Sequence, residues 1–136
     1  MTLICVTLSD PNDWADHAAL FDWGFANYHL ETAAQAGDQV GWLSVEGSLV
    51  PMCPLQVEEN LGAALGEGEA LETELVLDRT SLAAPVAQGE PVGELICSLR
   101  GEELGRVPVV TAKTVSCDQS KGEGILERIL ARIAAL

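Results

Sequence analysis

At 136 residues, with 48% of them apolar, the chain is long enough for one ordinary domain, and no apolar run reaches the length of a membrane span. Its net charge of −14 is confined to the first part: residues 1–78 hold fourteen Asp and Glu and no Lys or Arg, whereas residues 79–136 hold seven of each sign. Such a surface repels a phosphate backbone, which argues against a nucleic-acid partner, and the opening has neither the basic residues nor the long apolar core of a secretory signal.

The first element is TLICVTL, residues 2–8, a nearly unbroken apolar run bounded by Ser9-Asp10-Pro11. Its composition predicts a strand buried on both faces, the kind found in the middle of a sheet, although no strand precedes it. Pro11-Asn12-Asp13 then makes a turn, with Asp13 placed to cap a helix and Asp16 in its first turn. Trp14, Ala18, Leu20, Phe21, Phe25 and Tyr28 fall at helical spacing and predict a helix over 13–28. Gly24 marks either a close packing contact or the end of the regular helix.

From about residue 31 the texture changes to short runs punctuated by Gly and Pro, as in antiparallel strands joined by tight turns. An internal repeat lies within it. Residues 34–57 read AQAGDQVGWLSVEGSLVPMCPLQV, and residues 86–110 read VAQGEPVGELICSLRGEELGRVPVV. Gly37, Val40, Gly41 and Leu43 correspond to Gly89, Val92, Gly93 and Leu95; after a two-residue length difference, Gly47, Pro54 and Leu55 correspond to Gly101, Pro108 and Val109. Each copy predicts a glycine turn, a strand, a hairpin at the second glycine and a returning strand. Between the copies, residues 61–70 read as a Gly-rich loop, and Leu71–Leu77 as a strand with Glu72 and Glu74 on its wet face. Residues 117–123 form a polar linker, and the terminal ILERILARIAAL sets Ile125, Leu126, Ile129, Leu130 and Ile133 on one helical stripe.

The predicted fold is therefore α+β and mainly β. A strand-helix unit over 1–30 leads into a small antiparallel, sandwich-like domain over 31–116 built on a two-fold hairpin repeat. A linker over 117–123 and a short amphipathic helix over 124–136 follow.

Little in the chain points to chemistry. Cys5, Cys53, Cys97 and Cys117 lack the close spacing of a zinc site and read as mostly buried thiols, their pairing left open. His17 and His29 are the available bases, yet no G-x-S-x-G or S-x-x-K pattern accompanies them, and His17 reads as a helix-surface residue. Lys113-Thr114 is followed by Val115, so it is not a K-T-G element. Asp10, Asp13 and Asp16 lack the glycine and glutamate of a calcium loop, and Gly66-Glu67-Gly68 lacks the cation of a phosphate cradle. No catalytic, cofactor-binding or metal-ligating residue is assigned, and no cofactor is expected.

Two segments nevertheless carry a resemblance. LICVTLSDPNDWADHAALFDWGF, with its Trp23-Gly24-Phe25, is similar to the end of the peptidase domain in D-alanyl-D-alanine carboxypeptidases of the low-molecular-weight penicillin-binding-protein family. APVAQGEPVGELICSLRGEELGRVPVV, with its APVxxGxxVGxL pattern, looks like the β-rich C-terminal domain of the same serine peptidases. The resemblance covers about residues 2–116 in the expected order. It implies that the S-x-x-K, S-x-N and K-T-G elements belong upstream of Met1, in a longer enzyme or before a late-starting gene, and that this chain alone is inactive. It further implies a role in peptidoglycan remodelling outside the cell membrane, with residues 1–30 joined to a peptidase domain.

Three partner expectations follow: that peptidase domain; a homodimer through residues 2–8, whose strand otherwise lacks a neighbour; and a membrane-surface contact through residues 125–136, where Arg128 and Arg132 are nearly the only cations. The alternative is a stand-alone hairpin-repeat binding module. A lipoyl-type carrier is disfavoured because Gly47-Ser48 and Gly101-Glu102 occupy the turns where a carrier lysine would stand. A cysteine enzyme using His17 or His29 has no local signature.

Overall fold

The computed structural model describes residues 1–118 and 129–135. Helix α1 spans Asp13–Asn27, as the apolar spacing predicts. The capping residue is Asn12 rather than Asp13, and it makes no side-chain cap. Asp13 is instead the first helical residue, its carboxylate accepting from the Trp14 amide at 2.8 Å, and with Asp16 it places negative charge at the positive end of the helix dipole.

Strand β1 (Tyr28–Ala34) follows the helix without a loop. The first repeat supplies β2 (Gln39–Glu46) and β3 (Met52–Val57). Next comes β4 (Leu61–Gly66), where the sequence reads as a loop. The glycines that suggest a loop serve close packing here: a Cβ at Gly62 would lie 2.5 Å from the Glu31 carbonyl oxygen of β1. β4 pairs antiparallel with β1, from Tyr28 opposite Gly66 to Ala34 opposite Leu61. Then come β5 (Glu72–Leu77), the short β6 (Ser81–Ala83), and the second repeat as β7 (Pro91–Leu99) and β8 (Glu102–Thr111).

Six strands form one sheet in the order β5-β7-β8-β3-β2-β6, and β1-β4 forms a separate ladder. Every pair is antiparallel except β2 with β6. One face of the large sheet supplies the core through Leu43, Val45, Cys53, Leu55, Val57, Leu95, Cys97, Val107 and Val109, closed by Ala34 and Leu61 from the small ladder and by Val86 and Val115. Burying a Val or Leu side chain of this kind stabilises by about 1.5–3 kcal/mol. The thiols of Cys53 and Cys97 are part of this core, and all four cysteines are free.

The two repeats are related by a two-fold axis. β3 and β8 pair with Gln56 opposite Val110, so Leu55 faces Thr111 while Val57 faces Val109. Hydrogen bonds off the strands obey the same symmetry. The Gly37 amide donates to the Val57 carbonyl at 2.9 Å and the Gly89 amide to the Thr111 carbonyl at 2.8 Å. The Glu58 amide reaches the Pro108 carbonyl at 3.0 Å, and the Ala112 amide reaches that of Pro54 at 2.8 Å. Gly37, Gly47, Gly89 and Gly101 all have positive φ, the conformation glycine adopts without a side-chain penalty. The first strand of each hairpin, β2 and β7, slips register at the same place, between Gln39 and Gly41 and between Pro91 and Gly93. The symmetry fails outside the hairpins. The ladder β1-β4 has as its counterpart a single bridge, Val86 with Val115.

Residues 2–8 depart from the sequence expectation. They form no strand: among the described residues nothing pairs with them, and only one side packs on the protein. An extended segment becomes a strand only when a neighbour takes up its amides and carbonyls. At the other end, residues 129–134 are helical, as predicted. Ile125 and Leu126 of the predicted stripe, and residues 119–123 of the predicted linker, lie outside the described residues.

Candidate interaction surface

The alternation of residues 2–8 builds one surface with helix α1. Leu3, Cys5 and Thr7 turn towards the helix and are half-buried, whereas Ile4 and Leu8 are each 89% exposed. Gly24 makes this approach possible, since a Cβ there would lie 2.6 Å from Leu3 Cδ1. Thr7 Oγ1 and His17 Nε2 form a part-buried hydrogen bond of 2.9 Å, so His17 is a tether between segment and helix rather than a free surface residue. Between segment and helix runs an open groove of about 250 Å³ lined by Leu3, Cys5, Leu20, Phe21, Trp23 and Tyr28. Trp23 and Tyr28 meet edge to face, 5.8 Å between ring centres, and Trp14 stands 87% exposed at the helix start. Contiguous exposed apolar side chains beside unused backbone hydrogen-bonding groups mark a contact surface.

The charges bordering this surface are acidic: Asp10, Asp13, Asp16, Asp22 and Glu31. A hydrogen bond with Asp10, aided by its negative charge, holds the Asp16 carboxyl above the ordinary aspartate value. His29 lies 3.6 Å from Glu31 on β1. Both histidines are therefore engaged with side chains other than cysteine. Among the described residues there is no group of three or more His, Cys, Asp or Glu that could hold a metal ion, and no helix is long and apolar enough to cross a membrane.

A second exposed group escaped the sequence reading. On the outward face of the first hairpin stand Trp42, 51% exposed, Leu49 and Met52. The repeat maps Trp42 and Met52 onto Glu94 and Arg106 of the second hairpin, and Leu49 in sequence register onto Glu103, which there is paired in β8. There Arg106 binds both carboxylates, at 2.7 and 2.8 Å to Glu103 and 2.9 Å to Glu94. That guanidinium pulls the Glu103 carboxyl below its ordinary value. The repeat register held the signal for this exchange, once each outward position is compared with its mate.

Comparison with known proteins gives a consistent picture. Residues 28–116 match a family model described as penicillin-binding protein 5, C-terminal domain. No curated protein sequence matches the chain. Among solved structures the chain is similar to penicillin binding protein 5 from Haemophilus influenzae, at 20% identity and a TM-score of 0.64, over 75% of this chain and 30% of that one. It is similar to the D-alanyl-D-alanine carboxypeptidase DacD from Francisella tularensis, at 20% identity and a TM-score of 0.53, over 76% of this chain and 27% of that one. A peptidoglycan synthesis regulatory factor (PBP3) from Streptococcus pneumoniae shares 15% identity with a TM-score of 0.59, over 82% of this chain and 34% of that one. The chain thus spans about a third or less of the length of each.

Proposed function

Because the chain belongs to the penicillin-binding protein 5 C-terminal domain family, we propose that it serves a serine-type D-alanyl-D-alanine carboxypeptidase of peptidoglycan remodelling as a positioning or interaction domain, without chemistry of its own. The observation that carries the reading is the family match over residues 28–116, which coincides with the two-repeat β domain. The surface made by residues 2–8 and α1 then has a natural occupant. A peptidase domain supplies the neighbouring strand that residues 2–8 lack and covers Ile4, Val6 and Leu8. The exposed Ile129, Leu130 and Ile133 on helix 129–134 support a lipid-surface contact at the other end of the chain, in an extracytoplasmic, membrane-associated setting.

A second reading rests on the same open edge: residues 2–8 pair with those of another copy. Antiparallel pairing about Cys5 would satisfy the backbone, with the two sets of Asp10, Asp13 and Asp16 at opposite ends of the ladder. The net charge of −14 on each copy opposes self-association, which favours the peptidase domain as occupant.

A swap tests the proposal. This chain, joined behind a family peptidase domain stripped of its own last strand, helix and β domain, is expected to restore trimming of stem peptides in cells lacking that enzyme. A fusion that folds and acylates with penicillin yet leaves the stem peptides untrimmed would refute the positioning role. The chain by itself is expected to take up no labelled β-lactam, since it holds no S-x-x-K segment. A stoichiometric covalent adduct would place a nucleophile in this chain and overturn the assignment.

A further inference from the structure

We propose that the tip of the β2-β3 hairpin, with Leu49 at its apex and Trp42, Val50 and Met52 behind it, is a second lipid-surface contact. The inference rests on the reading of residues 125–136 as a membrane-surface element and adds a point of attachment on the folded β domain.

The internal symmetry of the domain provides the argument. The two hairpins share their strand layout and a left-handed glycine, Gly47 and Gly101, but their tips differ: residues 47–51 join β2 to β3, whereas Arg100-Gly101 alone join β7 to β8. On the second, the outward positions carry Glu94, Glu103 and Arg106, tied into one ion-paired group that suits water. On the first, Trp42 and Met52 stand where Glu94 and Arg106 do, and the longer connection adds Leu49, which has no counterpart in the two-residue turn. The scaffold does not require apolar residues there, since the other half folds with charges. Leu49 is 84% exposed, so the core does not require it either. A tryptophan set back from exposed aliphatic side chains matches the preference of indole for a membrane-water boundary.

The path of the chain supplies the second observation. After β8 it returns to this tip: the Asp118 amide donates to the Gly47 carbonyl at 3.3 Å, and Ser48 Oγ donates to Asp118 Oδ2 at 3.4 Å. The tail that leads to helix 129–134 thus leaves from the apolar hairpin and not from the charged one. Around the tip stand the carboxylates Glu46, which accepts from Ser81 at 2.9 Å, and Asp118. These carboxylates disfavour anionic headgroups, so the contact is with the apolar layer of a neutral lipid surface.

The test uses the full chain and vesicles of phosphatidylcholine, alone or mixed with phosphatidylglycerol, scored by flotation. Leu49→Asp is expected to lower partitioning about tenfold or more, through lost apolar burial and an added charge. Leu104→Asp, at the mate of Val50 on the charged hairpin, is expected to leave it unchanged. With Trp14→Phe and Trp23→Phe in place, Trp42 fluorescence should be quenched by brominated lipid, and added anionic lipid should not strengthen binding. Ile133→Asp separates the two contacts. If it has no effect while Leu49→Asp does, the helix reading fails and the hairpin contact stands. If Ile133→Asp abolishes binding while Leu49→Asp leaves it intact and Trp42 unquenched, the hairpin inference is overturned. Absence of binding to neutral vesicles overturns it too, as does a Leu49→Asp effect confined to self-association in lipid-free solution.

Discussion

Gly41 and Gly93 hold the same place in the two repeats, but a methyl group would meet the end of the Leu75 side chain at Gly41 and the backbone carbonyl of Val76 at Gly93. A side chain can turn aside; a paired strand cannot. Gly93→Ala is therefore expected to cost about 1–3 kcal/mol by forcing β5 off β7. Gly41→Ala should stay within about 1 kcal/mol of the parent. Urea unfolding of both variants is the measurement, and equal costs would show that β5 does not seat on Gly93.

Thr111 offers a reciprocal case, because its symmetry mate is Val57 and both are fully buried. The Thr111 hydroxyl donates to the Ala87 carbonyl at 2.6 Å and accepts from the Glu90 amide at 2.9 Å. Thr111→Val keeps the shape and strands both groups, so a loss of about 1–3 kcal/mol is expected. Thermal and urea denaturation would register it, with no change in vesicle binding.

The surface carboxylates set the response to pH, with opposite signs. Asp16, raised by its hydrogen bond with Asp10, contributes stability that is present below the ordinary aspartate value of 3.8 and lost as pH rises through its folded value. Glu103 is lowered by Arg106, and Asp78 by Arg79; both contribute stability above their ordinary values of 4.5 and 3.8, lost as pH falls through the folded ones. Carboxyl NMR titration should show Asp16 deprotonating after Asp78. Asp10→Asn should bring Asp16 down, and Arg106→Gln should bring Glu103 up.

The sequence made the hairpins legible because turns with positive φ leave glycines at fixed offsets, and Gly37, Gly47, Gly89 and Gly101 are such glycines. Helix α1 was legible from spacing alone, to within a residue of its end. β4 was not, because glycine in LGAALG signals a loop by propensity while Gly62 is there for contact with β1. TLICVTL misled in another way: composition reports a liking for the strand conformation but not the presence of a neighbour. The apolar hairpin tip was hidden because single exposed leucines are ordinary, and only comparison with the ion-paired hairpin makes Leu49 and Met52 unusual.

The seam between β3 and β8 also bears on how the domain assembles. Each hairpin closes between near neighbours in the chain, whereas Gln56 and Val110, separated by roughly fifty residues, must find each other across the intervening loop. Refolding should therefore run as two quick local events followed by one slow docking of halves, in the millisecond-to-second range typical of non-local β topologies. Until that docking, Leu55, Val57 and Val109 are unprotected, and half-built molecules can exchange hairpins at the seam. Concentrated refolding is where intertwined pairs of chains would arise.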